Sequence, residues 1–85
     1  MIQTVRDLVA RTGRLPVDVA SLADDADLYA AGLTSFSAVQ LMLAIEEAFD
    51  VEFPERYLNR RTFASIAAIS AALAEFAPTK VEKAA

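Results

Sequence analysis

One hydroxyl of this sequence stands where a covalent attachment could form. The stretch Gly32-Leu33-Thr34-Ser35-Phe36 sets Ser35 at the start of a predicted amphipathic helix, inside a strongly acidic segment. The ordinary interpretation is that Thr34 or Ser35 caps the helix, because a hydroxyl there satisfies a backbone N–H that has no partner. The chemical interpretation is that Ser35 carries a phosphate ester, since a helix N-terminus offers free N–H groups and the positive end of its dipole.

The other residue types argue against catalysis and against metal binding. The 85 residues make one small domain, which favours a compact core over a deep, dry catalytic cleft. There is no Cys and no His, so thiolate chemistry, the commonest general base and the commonest metal ligand are absent. Asp24, Asp25 and Asp27 lack a helical or hairpin register and the Gly and Glu spacing of a calcium loop. We expect a carrier or binding protein, with no enzyme activity and no metal site.

Negative charge is concentrated in the middle of the chain. Residues 15–55 contain nine acids and no Lys or Arg, whereas the flanks contain eight bases and three acids, so −9 in the middle is set against +5 outside it. Such a surface repels nucleic acid and anionic lipid and attracts a basic protein surface. We expect a protein partner with a basic docking face; a solvated acidic surface is the plain alternative.

Hydrophobic spacing predicts helices separated by a long loop. Apolar residues recur at helical spacing from Ile2 to Val9, and Gly13 follows as a stop, which predicts a first helix over about residues 2–12. Residues 14–33 show no sustained period and form a loop of a length that is often functional. The apolar side chains expected to pin this loop to the core are Leu15, Val17, Leu22, Leu28 and Leu33.

Proline and hydroxyl residues divide the second half of the chain. Residues 35–50 are predicted to form a second helix, which cannot extend past Pro54 because the residue before a proline disfavours helical backbone. Pro54 suits the first turn of a short third helix that continues to about Leu58. Thr62 is the predicted N-cap of a fourth helix. The face of that helix consists of Phe63, Ile66, Ile69 or Ser70, Leu73 and Phe76.

The predicted fold is an all-α four-helix bundle with three longer helices, one short helix and a long loop between the first two. The domain is expected to cover residues 1–78, with Pro78 ending the last helix and residues 79–85 forming a mobile tail. The N-terminus lacks a basic stretch followed by an apolar run, and no segment approaches the length of a membrane span. We expect a cytoplasmic monomer.

The second predicted helix has two apolar stripes. At about 100° per residue, the arc expected to face the core consists of Ala38, Leu41, Met42, Ile45, Ala48 and Phe49. The separate arc consists of Phe36, Val39 and Leu43, flanked by Gln40, Glu46, Glu47 and Asp50. A helix packed on one side does not need a second stripe, so this helix either is central in the bundle or presents an exposed docking face. We favour docking because acids lie beside the second stripe.

Two segments resemble the acyl carrier protein family. Residues 25–36, DADLYAAGLTSF, are similar to the family's pattern around its modified serine, and residues 46–54, EEAFDVEFP, resemble the segment that ends its second helix. The similarity covers about residues 2–77. A Gly-x-x-Ser match alone is a weak signal; the two-stripe helix, the Phe-Asp-x-x-Phe-Pro segment and the chain length make it specific to the family's four-helix bundle.

The resemblance implies that a phosphopantetheinyl transferase moves phosphopantetheine from coenzyme A onto Ser35, with release of adenosine bisphosphate, at a site flanked by Thr34 and Phe36. The terminal thiol of the arm would hold an acyl or aminoacyl group as a thioester, which supplies thiol chemistry to a chain without Cys. The implied partners are an amino acid:carrier protein ligase or another acyl-loading enzyme and a downstream acyltransferase. They are expected to dock on Val39, Gln40, Leu43, Glu46 and Glu47.

Some positions depart from the family's fatty-acid synthesis members. Those members usually have Asp and Leu where this chain has Thr34 and Phe36, and often acids at the positions of Ser37 and Gln40. The chain is more similar to discrete carriers paired with amino acid:carrier protein ligases, which are relatives of seryl-tRNA synthetases. We therefore expect a small amino acid loaded by an ATP-dependent ligase. The alternatives are an acyl carrier for fatty-acid or polyketide synthesis and an unmodified helical interaction module in which Ser35 is only a cap.

Overall fold

The computed structural model describes residues 1–80, and this part of the chain contains helices and no strands. The three long helices are α1 (Ile2–Thr12), α2 (Ser35–Phe49) and α3 (Ile66–Phe76), and single 3-10 turns occur at Val19–Ser21 and Glu55–Tyr57. The predicted all-α bundle of three longer helices and one short helix is confirmed, with the Glu55–Tyr57 turn as the short element. The first two long helices begin and end within one residue of their predicted bounds.

Helix α1 lies at the centre of the packing, because it contacts both α2 and α3. One apolar stripe of each helix enters the core, as the 3.6-residue period requires. The most deeply buried apolar side chains are Val5, Leu8, Val9, Leu28, Leu33, Leu41, Ile45, Phe49, Phe53, Ile66, Ile69 and Leu73. Burial of each such side chain stabilises the fold by about 1.5–3 kcal/mol.

The long loop between α1 and α2 is held in place by one arginine. The half-buried Arg6 guanidinium donates to the carbonyl oxygens of Val19 (2.6 Å) and Leu22 (2.8 Å) and forms an ion pair with Asp24. The backbone N–H of Leu28 donates to the carbonyl of Ala64 at 2.7 Å, which ties the loop to the segment before α3. The chain therefore enters α2 from a fixed direction.

Gly32 lies at the close approach that ends this loop. Its φ of 123° is in the region that favours glycine, and a Cβ there would lie 2.7 Å from Cδ of Pro16. The N–H of Leu33 then donates to the carbonyl of Leu28 at 2.9 Å. This turn sets Thr34 and Ser35 at the first turn of α2.

The predicted start of the last helix is wrong. Helix α3 begins at Ile66, and its N-cap is Ser65, whose hydroxyl accepts from the N–H of Ala68 at 2.9 Å. Thr62 instead lies buried in a turn, where its N–H donates to the side-chain oxygen of Asn59 at 3.0 Å. Both residues have a capping hydroxyl, and the backbone turn closed by Asn59 decides between them.

Two predicted core positions are wrong as well. Val17 is 44% exposed, because the loop is pinned at this point by the buried Val19 of the following 3-10 turn. Ala48 is exposed, since the buried stripe of α2 runs along Leu41, Ile45 and Phe49 and leaves Ala48 at its edge.

The end of the described chain is tied to the end of α2. Helix α3 ends at Phe76, before Pro78 as expected, and residues 78–80 are again helical. Lys80 donates to the Asp50 carboxylate at 2.9 Å. Most of the tail predicted to be mobile, residues 81–85, lies outside the described residues, and the domain limit at residue 78 stays a prediction. No helix within residues 1–80 is long and apolar enough to cross a membrane.

Candidate functional site

Helix α2 begins with a reciprocal capping box between Thr34 and Ser37. The Thr34 hydroxyl accepts from the N–H of Ser37 at 3.0 Å, and the Ser37 hydroxyl accepts from the N–H of Thr34 at 2.9 Å. The two hydroxyl oxygens lie 2.9 Å apart, and Ser37 is buried. Two backbone donors that would otherwise lack partners are satisfied in this way. The cap of α2 is therefore Thr34.

Ser35 is left free by this arrangement. It is the first residue of α2 and is exposed, and within residues 1–80 its hydroxyl makes no hydrogen bond. The N–H groups of Ser35 and Phe36 also have no intrahelical partner, because the carbonyls that they would need precede the helix. An anion attached to the Ser35 oxygen would lie beside two free donors and the positive end of the helix dipole.

The second apolar stripe of α2 is exposed. Phe36 is 68% exposed, Val39 52% and Leu43 54%, whereas Leu41 and Ile45 on the other face are fully buried. The possibility that a central α2 buries both stripes is therefore wrong. These three side chains lie on one face of α2 at helical spacing, starting next to Ser35, and we call them the α2 stripe.

The polar residues expected around the α2 stripe differ in their freedom to contact a partner. Glu47 is exposed and makes no hydrogen bond within residues 1–80, and Gln40 is half-buried. Glu46 is half-buried, and its carboxylate accepts from the N–H of Phe53 at 2.8 Å. This bond holds the segment that follows α2, so one oxygen of Glu46 has a structural role.

An open groove of about 360 Å³ starts at Ser35 and runs along α2. Its side chains come from α2, from the segment between the second 3-10 turn and α3, and from the loop before α2. They are Tyr29, Ser35, Ala38, Val39, Met42, Leu58, Asn59, Arg60 and Phe63. Most of this lining is apolar, and Arg60 is the one charged residue in it.

Arg60 is held over an aromatic ring. Its guanidinium carbon lies 3.9 Å from the centroid of the Tyr29 ring, the distance of a cation–π contact. The carboxylate of Asp27 accepts from the N–H of Tyr29 at 2.9 Å, which fixes the turn that presents the ring. Burial raises the pKa of Tyr29 above its ordinary value, the Arg60 charge lowers it in part, and Asp27 adds to the rise.

The sequence predicted that Ser35 begins α2 and that the α2 stripe forms a separate face, but it did not predict the far wall of the groove. Tyr29 lies about thirty residues before Leu58 and Arg60 in the sequence, and no spacing rule brings it next to them. The available signal was Leu58, an apolar residue followed by the polar residues Asn59, Arg60 and Arg61. Within residues 1–80 no cluster of acids could hold a metal ion.

A family model and a similar protein both relate this chain to carrier proteins. A family model described as the phosphopantetheine attachment site matches residues 3–73. The chain is 62% identical over 69 residues to a protein of Agrobacterium fabrum (strain C58 / ATCC 33970) called aminoacyl carrier protein, and the match covers 81% of this chain and 83% of that one. The similarity thus extends over most of both chains.

Solved structures extend the comparison to the fold. The chain matches a crystal structure of an engineered Bradyrhizobium japonicum glycine:[carrier protein] ligase complexed with carrier protein from Agrobacterium tumefaciens and ATP, with a TM-score of 0.86, 56% identity and coverage of 88% of this chain and 97% of that chain. A solution structure of an Agrobacterium tumefaciens protein gives a TM-score of 0.74 at 54% identity, with coverage of 96% and 99%.

Proposed function

The chain belongs to the phosphopantetheine attachment-site family, and from this premise we propose that Ser35 is the residue that carries the group. A member of this family is a carrier protein and not an enzyme, and its cofactor is covalently attached phosphopantetheine. The observation that carries the assignment is the exposed hydroxyl of Ser35, which is free of capping although it opens a helix. The nearby Ser37 is buried and hydrogen-bonded.

The residues around Ser35 fit a phosphodiester. The attachment oxygen is accessible, Ser35 and Phe36 have backbone N–H groups without intrahelical partners, and Ser35 lines a groove that contains one cation. In the transfer, the Ser35 oxygen loses its proton and forms a bond to phosphorus, while adenosine bisphosphate leaves from coenzyme A. Within residues 1–80 no side chain accepts a hydrogen bond from the Ser35 hydroxyl, so we infer that the transferase supplies the base. When bound, the arm supplies a thiol that holds the cargo as a thioester.

The proposed cargo is a small amino acid such as glycine or alanine, loaded by an ATP-dependent ligase. The relative called aminoacyl carrier protein and the neighbour complexed with a glycine:[carrier protein] ligase support this choice. The groove beside Ser35 has one charged residue in its lining, the cation Arg60, and no carboxylate. An ammonium group is therefore more stable in water than in the groove, and such a cargo needs no interior tunnel.

The proposed partners dock on the α2 stripe and its acidic rim. A phosphopantetheinyl transferase, an amino acid:carrier protein ligase and a downstream acyltransferase would each contact exposed apolar side chains, with Glu47 and Gln40 at the border. Because the segment from residue 15 to 55 has a charge of −9, a basic partner surface would be attracted before contact. The same charge disfavours nucleic acid and anionic membrane. A monomeric state and a cytoplasmic location remain part of the proposal.

A loading competition tests the cargo. The holo protein is supplied in parallel with ATP, glycine or alanine and a ligase of the neighbour's type, and with the enzymes that load malonyl and long acyl groups. Intact mass then identifies the thioesters. We expect the amino acid adducts to form more readily. Efficient malonyl loading and elongation to long acyl groups without any aminoacylation would overturn the amino acid assignment and favour a carrier for fatty-acid or polyketide synthesis.

A further inference from the structure

The groove next to Ser35 contains a cation that forms no ion pair within residues 1–80. Within residues 1–80 the ion pairs join Arg6 to Asp24 and Lys80 to Asp50, so the Arg60 guanidinium has no carboxylate partner there. Arg60 is also exposed, and its contact with Tyr29 is made through the face of the ring. A guanidinium bound by a ring face keeps the N–H donors along its own edge available.

The positive charge of Arg60, in the groove that Ser35 also lines, is complementary to the negative charge of a phosphodiester on Ser35. Both residues line the same groove. A phosphodiester has one negative charge shared by two oxygens, and a guanidinium binds such a pair of oxygens in two parallel hydrogen bonds. The N–H groups in the first turn of α2 that lack intrahelical partners are further donors for an anion at Ser35.

The rest of the groove suits an uncharged chain. Ala38, Val39, Met42, Leu58 and Phe63 give it apolar walls. The side chain of Asn59 is already engaged, because its nitrogen donates to the carbonyl of Arg56 and its oxygen accepts from Thr62.

We propose that Arg60, held by Tyr29, binds the phosphodiester on Ser35 and directs the arm along this groove when no amino acid is loaded. The inference rests on the proposed attachment at Ser35. Arg60 acts as a positioning residue: it sets the direction of the arm and takes no part in forming any bond. An amino acid at the end of the arm adds an ammonium group that both Arg60 and the apolar walls disfavour, so the loaded end lies in water.

Nuclear magnetic resonance of the holo protein tests this assignment. Arg60→Gln removes the charge, and Arg61→Gln is the matched control, since Arg61 is exposed, adjacent in sequence and outside the groove lining. The readouts are cross-relaxation between arm protons and the methyl groups of Met42 and Val39, and the shift changes of those methyls between apo and holo forms. We expect Arg60→Gln to reduce both by about threefold, the size of one partly exposed ion pair, with Arg61→Gln unchanged.

Salt and a conservative variant separate positioning from folding. At about 1 M salt, where the screening length is about 3 Å, the arm contacts of the wild type should weaken, whereas those of Arg60→Gln should not change. Arg60→Lys keeps the charge and should restore part of the contacts. Groove contacts that are equal in wild type and Arg60→Gln, or absent from the wild type, would overturn the role of Arg60 while the arm is still found on Ser35. An arm found on another residue would overturn both this inference and the attachment site.

Discussion

Because Thr34 and Ser37 form the capping box and Ser35 does not, measurements of the free energy of unfolding can distinguish the roles of these three hydroxyls. Thr34→Ala removes the acceptor for the N–H of Ser37 and should cost about 1 kcal/mol, with an upper limit near 2 kcal/mol. Ser37→Ala leaves the N–H of Thr34 without its acceptor and should cost a similar ~1 kcal/mol. Ser35→Ala should change the free energy of unfolding by less than about 0.5 kcal/mol, because its hydroxyl is exposed and makes no bond within residues 1–80.

The assay is thermal and urea unfolding of the apo proteins, followed by circular dichroism at one pH. For a domain of this size, 1 kcal/mol corresponds to a change of roughly 4–8 °C in Tm. Thr34→Ala and Ser37→Ala should therefore melt several degrees below the wild type, and Ser35→Ala should melt with it. If Ser35→Ala lost as much as Thr34→Ala, the hydroxyl would be structural, and the argument that it is free for attachment would be refuted.

Three further predictions concern the docking face, the loop and the groove. Val39→Asp and Leu43→Asp should each slow transfer of the arm or the amino acid with little loss of stability, because both positions are about half exposed. Leu41→Asp, the buried control, should unfold the domain. Loss of cooperative unfolding in all three variants would show that the α2 stripe belongs to the core. Arg6→Ala should reduce the free energy of unfolding, measured in urea, by ~2–3 kcal/mol, because it leaves two loop carbonyls and a carboxylate without their cation. A change below about 0.5 kcal/mol would contradict the role of Arg6 in holding the loop. Burial raises the pKa of Tyr29 above its ordinary value, so its neutral form stabilises the fold below the unfolded pKa, and this contribution is lost as pH rises through the folded pKa. Tyr29→Phe should therefore lose less stability than the wild type between neutral and strongly alkaline pH. An equal loss in both proteins would contradict this role of Tyr29.

The sequence predicts the helices well where a long apolar period meets an unambiguous boundary. Helix α1 shows this, because its period ends at Gly13. Helix α2 begins directly after the Thr34 cap and ends at Phe49, where Asp50 adopts a left-handed C-cap with a φ of 54°. The start of α3 could not be predicted in the same way, since Thr62 and Ser65 are both good caps. The choice depends on the turn that Asn59 closes, which is a local hydrogen bond that no periodicity contains.

The sequence predicts one part of the candidate site and not the other. Ser35 and the α2 stripe lie within one helix, so helical geometry places them from the sequence. The far wall of the groove joins Tyr29, from the loop, to Arg60, from the segment before α3, and such a contact depends on tertiary packing. Thr34 and Ser37 both differ from the residues usual in fatty-acid synthesis members, and in the structure they form one capping pair. The two differences therefore count as one structural change, made for the cap of α2, and not as two independent indications of the cargo.

The central claim is that Ser35 carries the arm, and peptide mapping after modification tests it most directly. The wild type, Ser35→Ala and Ser37→Ala are each incubated with coenzyme A and a phosphopantetheinyl transferase, digested, and examined by tandem mass spectrometry. We predict one phosphopantetheine per chain on Ser35 in the wild type, none in Ser35→Ala, and continued modification in Ser37→Ala. An arm on Ser37 or Thr34, or any arm retained by Ser35→Ala, would contradict the account.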